Sequence, residues 1–286
     1  MKFVAIDWGT SSFRAWLIEH DQICDFIETD QGVKNFPSGA HAAYLETVLV
    51  NWNGKFSFII SIGMIGSSMG MHETKFSELP IDVQGISSTL IKVPEFNPPL
   101  FIVPGVSKPG DVMRGEESQS LAAHLDSGLV ILPGTHSKWV KIEKGKIVDF
   151  QTYLTGELFE LLRNHSTLSK ATESSTKITA SKDFLEGLDA DSTDITHNLF
   201  TIRANWLQGK PPETSREFLS GLLVGAEIKS AKQWCGAKQA VVVASDSLAH
   251  LYSAALAHFG IKAELNDSQN LIQYFVDLAK EAEKKL

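Results

Sequence analysis

The sequence predicts an α/β protein with mixed sheets. Apolar segments of strand length come in two clusters, each followed by helical patterns, and single apolar strands such as 241–243 lie between later helices. The two clusters also share a strand-turn-strand pattern, at residues 4–12 and 129–137. A chain of 286 residues suggests two domains, at about 100–200 residues per domain. We therefore expect two α/β domains, divided near residues 126–129.

The first half of the chain predicts a hairpin, further strands and two helices. Residues 3–6 and 13–18 are apolar at strand spacing and flank a polar, glycine-containing turn, which is typical of a β-hairpin. The other expected elements are strands at 23–29, 56–62, 89–93 and 100–103 and helices at 40–52 and 116–125. Residues 63–73 contain three glycines and are too long for a simple turn. Ordered loops of that length are often functional.

The second half predicts another hairpin and then mostly helices. The expected strands are 129–132, 139–142, 146–153 and 241–243, and the expected helices are 156–164, 180–188, 195–207, 215–234, 248–259 and 271–285. Residues 166–182 are rich in Ser, Thr and Lys and predict a mobile surface segment. The expected domains are 1–127 and 128–286, with a last helix at about 270–286 that can return to pack on the first domain.

Composition and charge exclude several classes of protein. The net charge of −8 argues against binding to nucleic acid or to an anionic membrane through bulk electrostatics. No stretch approaches the roughly 18 apolar residues of a membrane span, and the chain turns acidic at Asp7, which predicts no export signal. Cys24 and Cys235 lie far apart and predict neither a disulfide framework nor a zinc site. We expect a cytoplasmic protein with small-molecule partners.

The repeated pattern carries the first functional hypothesis. In both copies an apolar strand is followed by two residues and then by Gly-Thr-x-Ser. Such turns let backbone N–H groups and hydroxyls surround an anionic oxygen, so the two could clamp a polyphosphate, although they could also be unrelated hairpin turns. Asp7 favours the first alternative, because a carboxylate ending a buried strand is costly unless it binds a cation such as Mg²⁺. The second copy has Leu132 there, so only one copy would hold metal.

Six sequence blocks carry a family resemblance. They are residues 6–9, 63–67, 113–117, 133–139, 155–158 and 217–223. In this order they closely resemble the 2-dehydro-3-deoxygalactonokinases, within the ATPase superfamily that includes actin, hexokinase and the heat-shock chaperone ATPases. The resemblance implies two ribonuclease-H-like (actin-like ATPase) domains, each a mixed five-stranded sheet flanked by helices, with a cleft between them. It also implies transfer of the ATP γ-phosphoryl group to the terminal C6 hydroxyl of 2-dehydro-3-deoxy-D-galactonate in galactonate catabolism.

The resemblance and the repeat together assign the nucleotide site. The expected phosphate contacts are Gly9, Thr10, Ser11 and Ser12 in the first turn and Gly134, Thr135, His136, Ser137 and Lys138 at the second. Asp7 would bind Mg²⁺. Adenosine is expected on the second domain, where Gly221 and Gly225 open a flat helix face that could admit the ring or another helix. Ser245 lies in a turn where relatives typically have a glycine, which leaves the nucleotide preference open.

The catalytic and substrate residues are expected in the first domain. Glu116, at a predicted helix start, is the expected base, although Glu116 and Glu117 could simply cap the helix, and Asp111 is the competing base. Only five of the 26 basic residues are arginines, and a planar guanidinium suits a carboxylate substrate. Arg114 is our first choice, with a catalytic role besides, and Arg14, Arg163 and Arg203 could also hold the carboxylate. Gly63, Met64, Gly66 and Ser67 could close over the sugar acid, with Glu157 as another contact or a helix cap.

Three alternatives remain at this point. The chain could be a non-catalytic actin-like module that senses a nucleotide or a sugar acid. It could also be a kinase for another acid, such as 2-dehydro-3-deoxygluconate or, less in keeping with the six blocks, pantothenate. The C4 epimer preference depends on the partners of one hydroxyl in the folded chain. A homodimer is possible and has no signal of its own in the sequence.

Overall fold

The computed structural model describes residues 1–94, 96–266 and 269–286, without the side chain of Gln269. The described chain divides into two compact units. The first contains residues 1–127, 142–149 and 269–286, and the second contains residues 128–141 and 150–266. Each unit has its own sheet and its own buried core.

The elements follow one another along the chain as follows. The first stretch contains β1 (Lys2–Trp8), β2 (Phe13–Glu19), β3 (Gln22–Thr29), α1 (His41–Val48), β4 (Ile59–Gly63), β5 (Ser77–Glu78), α2 (Val83–Ser88), β6 (Ile91–Lys92), β7 (Leu100–Ile102), β8 (Val106–Lys108), β9 (Asp111–Met113) and α3 (Glu116–Leu121). The second contains β10 (Gly128–Leu132), β11 (Ser137–Glu143), β12 (Lys146–Tyr153), α4 (Thr155–His165), α5 (Lys182–Asp189), α6 (Ile195–Leu207), α7 (Pro212–Cys235), β13 (Gln239–Val242), α8 (Asp246–His258) and β14 (Lys262–Leu265). The last helix is α9 (Gln269–Glu283).

The sheet of the first unit is mixed, as expected. Its strand order is β3-β2-β1-β4-β7-β6, and β1 pairs antiparallel with β2 and parallel with β4. The register places Asp7 opposite Arg14, and Trp8 opposite Gly63. The expectation of five strands is wrong for this unit, because the two-residue β6 adds a sixth strand beside β7.

The sheet of the second unit has the five strands expected, in the order β12-β11-β10-β13-β14. β13 pairs parallel with both β10 and β14. Trp139, Phe184 and Tyr252 are large side chains of the core beside this sheet. Strand β14 was not predicted from the sequence, because Lys262 and Glu264 interrupt its apolar character.

Several expected boundaries differ in the structure. The predicted helix 116–125 ends at Leu121, and the one at 40–52 divides into α1 and a 3-10 turn at Val50–Trp52. The three-stranded sheet β5-β8-β9 and helix α2 were missed. These strands have only two or three residues, which is too short for an alternating pattern to show.

The segment 166–182 is not the mobile surface segment that its composition predicts. Leu168 and Ala171 are buried in a small core with Leu219 and Leu223 of α7. Thr172 is fully buried and donates to the Leu168 carbonyl at 3.0 Å. A few apolar side chains therefore fix a stretch whose overall composition is polar.

Helix α9 belongs to the first unit and contacts α2, α3, β1 and β4. Its buried face includes Tyr274, Phe275 and Leu278, and the Tyr274 hydroxyl donates to Ser118 Oγ at 3.1 Å. The chain thus returns at its end to the unit where it began. Among the described helices, none combines the length and the apolar character that crossing a membrane requires.

Candidate active site

The first turn, residues 9–12, joins β1 to β2 at the end of a buried strand. The Gly9 amide donates to the Ser12 carbonyl at 2.9 Å and closes the turn. Thr10, Ser11 and Ser12 are exposed. Gly32 packs against this turn so closely that a Cβ there would lie 2.2 Å from the Thr10 carbonyl oxygen. The turn is therefore braced by backbone from outside the hairpin, and its three exposed hydroxyl residues are of the type expected for a phosphate cradle.

Asp7 is buried at the end of β1 and is 7% exposed. Its Oδ2 accepts from Arg14 Nη2 at 2.5 Å and lies 3.4 Å from Gln119 Nε2. Arg14, expected to hold a substrate carboxylate, is thus paired with the proposed metal ligand. No group of three or more His, Cys, Asp or Glu side chains able to hold a metal occurs among the described residues. A lone carboxylate still fits Mg²⁺, which keeps several waters and takes one or two carboxylates together with substrate phosphates.

Glu116 begins helix α3 immediately after a tight turn. Gly115 has φ +106°, and a Cβ on it would lie 3.0 Å from Gly63 Cα, which brings the start of α3 against the end of β4. The Glu116 Oε2 atom accepts from the Arg114 amide at 2.9 Å. The competing carboxylate, Asp111, is in β9 and accepts from the Val112 amide at 2.8 Å.

Glu117 is a buried carboxyl that the sequence indicated only as a helix cap. It is 0% exposed and accepts from the Gly115 amide at 2.6 Å and from Ser118 Oγ at 2.8 Å. Burial, together with the neighbouring Glu116, raises its pKa to about 7. Its neutral form is therefore accessible near physiological pH, and its contacts fix the turn that presents Glu116.

Arg114 is held in place by the segment that follows the 63–73 loop. Its Nη1 donates to Thr74 Oγ1 at 2.5 Å, its Nη2 to the Thr74 carbonyl at 3.1 Å, and its guanidinium stacks 4.4 Å from the Phe76 ring centre. Burial lowers the pKa of Arg114, while Glu117 and Glu73 raise it. A guanidinium has five N–H donors, and these contacts give it a fixed direction.

The loop at 63–73 is held by close backbone packing and by its own hydrogen bonds. Gly63 has φ +90°, and a Cβ there would lie 2.6 Å from the Trp8 carbonyl oxygen. A Cβ on Gly66 would lie 3.0 Å from Arg114 Nη1. Met64 packs on the core of the first unit, and Ser67 Oγ donates to the Met64 carbonyl at 2.7 Å. These four residues thus have internal structural roles, and their contact with a sugar acid stays a prediction.

The second turn, residues 134–137, lies after β10, includes the first residue of β11, and is braced like the first. A Cβ on Gly156 would lie 2.3 Å from the Gly134 carbonyl oxygen, and the Glu157 amide donates to the Thr135 carbonyl at 2.9 Å. His136 Nε2 lies 2.5 Å from a carboxylate oxygen of Glu157. Glu157 therefore partners the turn itself, whereas the sequence suggested a substrate contact or a cap.

Glu227 is the second buried carboxyl that the sequence did not reveal. It is 2% exposed in helix α7, and it accepts from four donors: Ser137 Oγ, Trp139 Nε1, Thr155 Oγ1 and the Tyr252 hydroxyl. Burial raises its pKa, against the lowering effect of these donors. The expected phosphate contact through the Ser137 hydroxyl is therefore replaced by an inward hydrogen bond. Lys138, also expected at the phosphates, is only 4% exposed.

The helix face expected to admit adenine is covered. A Cβ on Gly221 would lie 2.0 Å from the Phe184 carbonyl oxygen, and one on Gly225 would lie 2.7 Å from that of Leu188. Of the two alternatives, the structure shows close packing by helix α5. Ser245 is exposed at the start of α8, and its role in binding adenosine stays a prediction.

Comparison with known proteins adds to this geometry. A family model described as 2-keto-3-deoxy-galactonokinase matches residues 7–274. The 2-dehydro-3-deoxygalactonokinase of Escherichia coli is 34% identical over 269 residues, which are 91% of this chain and 90% of the relative.

Solved structures are also similar. The crystal structure of a Sinorhizobium meliloti protein, provisionally named a 2-dehydro-3-deoxygalactonokinase, has a TM-score of 0.88 at 31% identity and covers 99% of both chains. The Clostridium difficile activator of 2-hydroxyisocaproyl-CoA dehydratase, with bound ADPNP, has a TM-score of 0.53 at 10% identity and covers 100% of this chain and 97% of its own. At that identity the likeness concerns the fold alone, and it agrees with the expected α/β class.

Proposed function

We propose that this chain, which belongs to the 2-keto-3-deoxy-galactonokinase family, transfers the γ-phosphoryl group of ATP to the C6 hydroxyl of 2-dehydro-3-deoxy-D-galactonate. The observation that carries this proposal is the family match over residues 7–274 together with 34% identity to a kinase of that name. The product is 2-dehydro-3-deoxy-6-phosphogalactonate, an intermediate of galactonate catabolism. The match favours this activity over a sensing module and over a kinase for another acid.

Phosphoryl transfer depends mainly on positioning and on stabilising negative charge. In the proposed mechanism the exposed residues Thr10, Ser11 and Ser12 and the amides of residues 134–136 contact the phosphates of ATP. Asp7 would hold Mg²⁺, which would neutralise phosphate charge when bound. Arg14 supports this role because it fixes the Asp7 carboxylate through a 2.5 Å ion pair.

Glu116 is the proposed base. Its carboxylate is at the first residue of α3, directly after the Gly115 turn. There it would accept the hydrogen bond of the acceptor hydroxyl and then the proton as the phosphoryl group transfers. Glu117 supports this assignment, because it anchors the Gly115 amide and so fixes the turn before Glu116.

Arg114 is proposed to bind the carboxylate of the sugar acid and to orient it for transfer. Its guanidinium lies on the same turn as Glu116 and is fixed by Thr74 and Phe76. An arginine with a fixed direction can pair with a carboxylate in the bidentate manner. We further propose that the enzyme acts in the cytoplasm, where ATP is available, while homodimer formation stays a prediction of the sequence.

The activity is tested by measuring ADP release with three acids in parallel: 2-dehydro-3-deoxygalactonate, 2-dehydro-3-deoxygluconate and pantothenate. We expect the highest kcat/KM with the galactonate derivative and none above background with pantothenate. The two epimers differ by one hydroxyl, so their ratio measures how well this hydroxyl is bound. Absence of turnover with either sugar acid would overturn the proposed function.

A further inference from the structure

The second turn is anchored from inside its own unit by a single buried carboxylate. We propose that Glu227 is a positioning residue for nucleotide binding, which fixes the second turn through Ser137 on one side and Thr155 on the other. The inference rests on the proposed function, because it takes this turn to contact the phosphates of ATP.

The four hydrogen bonds divide evenly between the two carboxylate oxygens. Oε1 accepts from Ser137 Oγ at 2.7 Å and from Trp139 Nε1 at 2.8 Å. Oε2 accepts from Thr155 Oγ1 and from the Tyr252 hydroxyl, the latter at 2.9 Å. A carboxylate offers about four acceptor positions, so these four donors occupy all of them.

Two of the donors are directly linked to the second turn. Ser137 is its last residue. Thr155 is followed by Gly156, whose backbone lies against the Gly134 carbonyl, and the next amide donates to Thr135 at 2.9 Å. A shift of Thr155 is therefore transmitted to the turn through directly packed backbone. Tyr252 is in helix α8, and its hydroxyl also interacts with the Ser137 side chain.

This arrangement offers a matched pair of variants. Thr155→Val removes the hydroxyl that donates to Oε2, whereas Thr155→Ser keeps it, and neither substitution alters the other three donors. We expect Thr155→Val to weaken ATP binding about tenfold, the size expected for a lost hydrogen bond to a charged group. Thr155→Ser, which keeps the hydroxyl, should keep the wild-type Kd.

Glu227→Gln is a second, independent variant. The Trp139 indole can only donate, so the amide oxygen of the substituted side chain must face it and the NH₂ group must face Thr155 and Tyr252. These hydroxyls then lose the acceptor they share. We expect a rise in the Kd for ATP of about tenfold or more, with little change in the KM for the sugar acid.

The test is calorimetric titration of the full chain with ATP and Mg²⁺ in the absence of sugar acid, beside melting temperatures and the KM of both substrates. Weaker ATP binding in Thr155→Val and Glu227→Gln, with Thr155→Ser like wild type, supports the inference. If Glu227 has a purely structural role, these variants have lower melting temperatures and an unchanged Kd for ATP. This result would overturn the inference. Wild-type protein that binds no ATP would instead overturn the proposed function itself, together with the inference.

Discussion

The two Gly-Thr turns of this chain have the same pattern and different surroundings. In the first, Asp7 precedes the turn and pairs with Arg14. In the second, Leu132 stands at the equivalent place, and the side chain pair is His136 with Glu157. Both turns are braced by a glycine that no side chain could replace without overlap, Gly32 for the first and Gly156 for the second.

Comparing the two turns distinguishes two features: the close packing that supports each turn, and the residue that precedes it. The bracing is common to both turns, so it is part of the shape that they share. The buried charge differs: an anion at the first turn can bind a metal, whereas the second turn has an apolar residue there. We infer that the turns share a shape and differ in chemistry, with metal binding confined to the first.

The largest expected effect tests whether metal binding is confined to the first turn. Asp7→Asn removes the charge that would attract Mg²⁺ and leaves Arg14 without its carboxylate partner, so we expect kcat to fall about 100-fold or more. His136→Ala, at the second turn, should instead raise the KM for ATP with kcat nearly kept. Steady-state kinetics at saturating Mg²⁺ measures both. Equal losses of kcat in the two variants would contradict the asymmetry.

The next effect concerns pH and the buried Glu117. Its pKa of about 7 in the folded chain lies above the ordinary 4.5, so the folded state binds this proton more tightly than the unfolded state. The free energy of unfolding therefore falls as pH rises from about 4.5 to about 7 and levels off above. Between pH 5 and pH 8, wild type should lose roughly 2–3 kcal/mol relative to Glu117→Gln.

Urea unfolding at the two pH values measures this difference, with Glu143→Gln as the control for loss of an exposed carboxylate. Glu143 is exposed in β11, so its variant should follow wild type at both pH values. A wild type that tracks Glu117→Gln over the whole range would contradict the raised pKa.

A smaller effect tests the shared bracing. Gly32→Ala and Gly156→Ala place a Cβ 2.2 Å and 2.3 Å from backbone oxygens, and we expect each to lower the free energy of unfolding by about 1–3 kcal/mol. Gly9→Ala and Gly134→Ala are the matched controls. Their Cβ atoms would meet nothing closer than 3.7 Å in the described chain, so they should keep stability and weaken only ATP binding, which melting curves and calorimetry distinguish.

The smallest effect concerns the exposed pair at the second turn. The side chains of His136 and Glu157 are 46% and 44% exposed, so Glu157→Gln should change stability by less than about 1 kcal/mol. The structure pairs Glu157 with the turn, so we expect no change in the KM for the sugar acid. A clear rise in that KM would instead support the contact between Glu157 and the sugar acid that the sequence suggested.

The fold class and the two turns could be predicted from the sequence because their signals are local. An apolar strand followed by Gly-Thr-x-Ser is visible at residues 4–12 without any knowledge of the fold. Short strands such as β5 and β8 were missed, because two or three residues carry no periodicity. The burial of Leu168 in a polar stretch could not be predicted either, because it depends on its partners on helix α7.

Individual residues of the candidate site could be predicted from the sequence, but their burial and their hydrogen-bond partners could not. Glu116 and Arg114 stand out by residue type, but the buried state of Glu117 depends on neighbours that only the fold provides, among them Tyr274 beside Ser118. Glu227 lies in an ordinary helical pattern, and its four donors are distant in sequence. Gly221 and Gly225 differ from these carboxyls, because their spacing on one helix face was visible in the sequence. Only the structure showed that helix α5 packs against that face.

The most direct test of the account is kcat with ATP and 2-dehydro-3-deoxygalactonate for wild type, Glu116→Gln and Asp111→Asn. If Glu116 is the base, Glu116→Gln lowers kcat about 100-fold or more, with an unchanged melting temperature, and Asp111→Asn stays close to wild type. Near-normal turnover by Glu116→Gln, or a large loss confined to Asp111→Asn, would contradict the assignment.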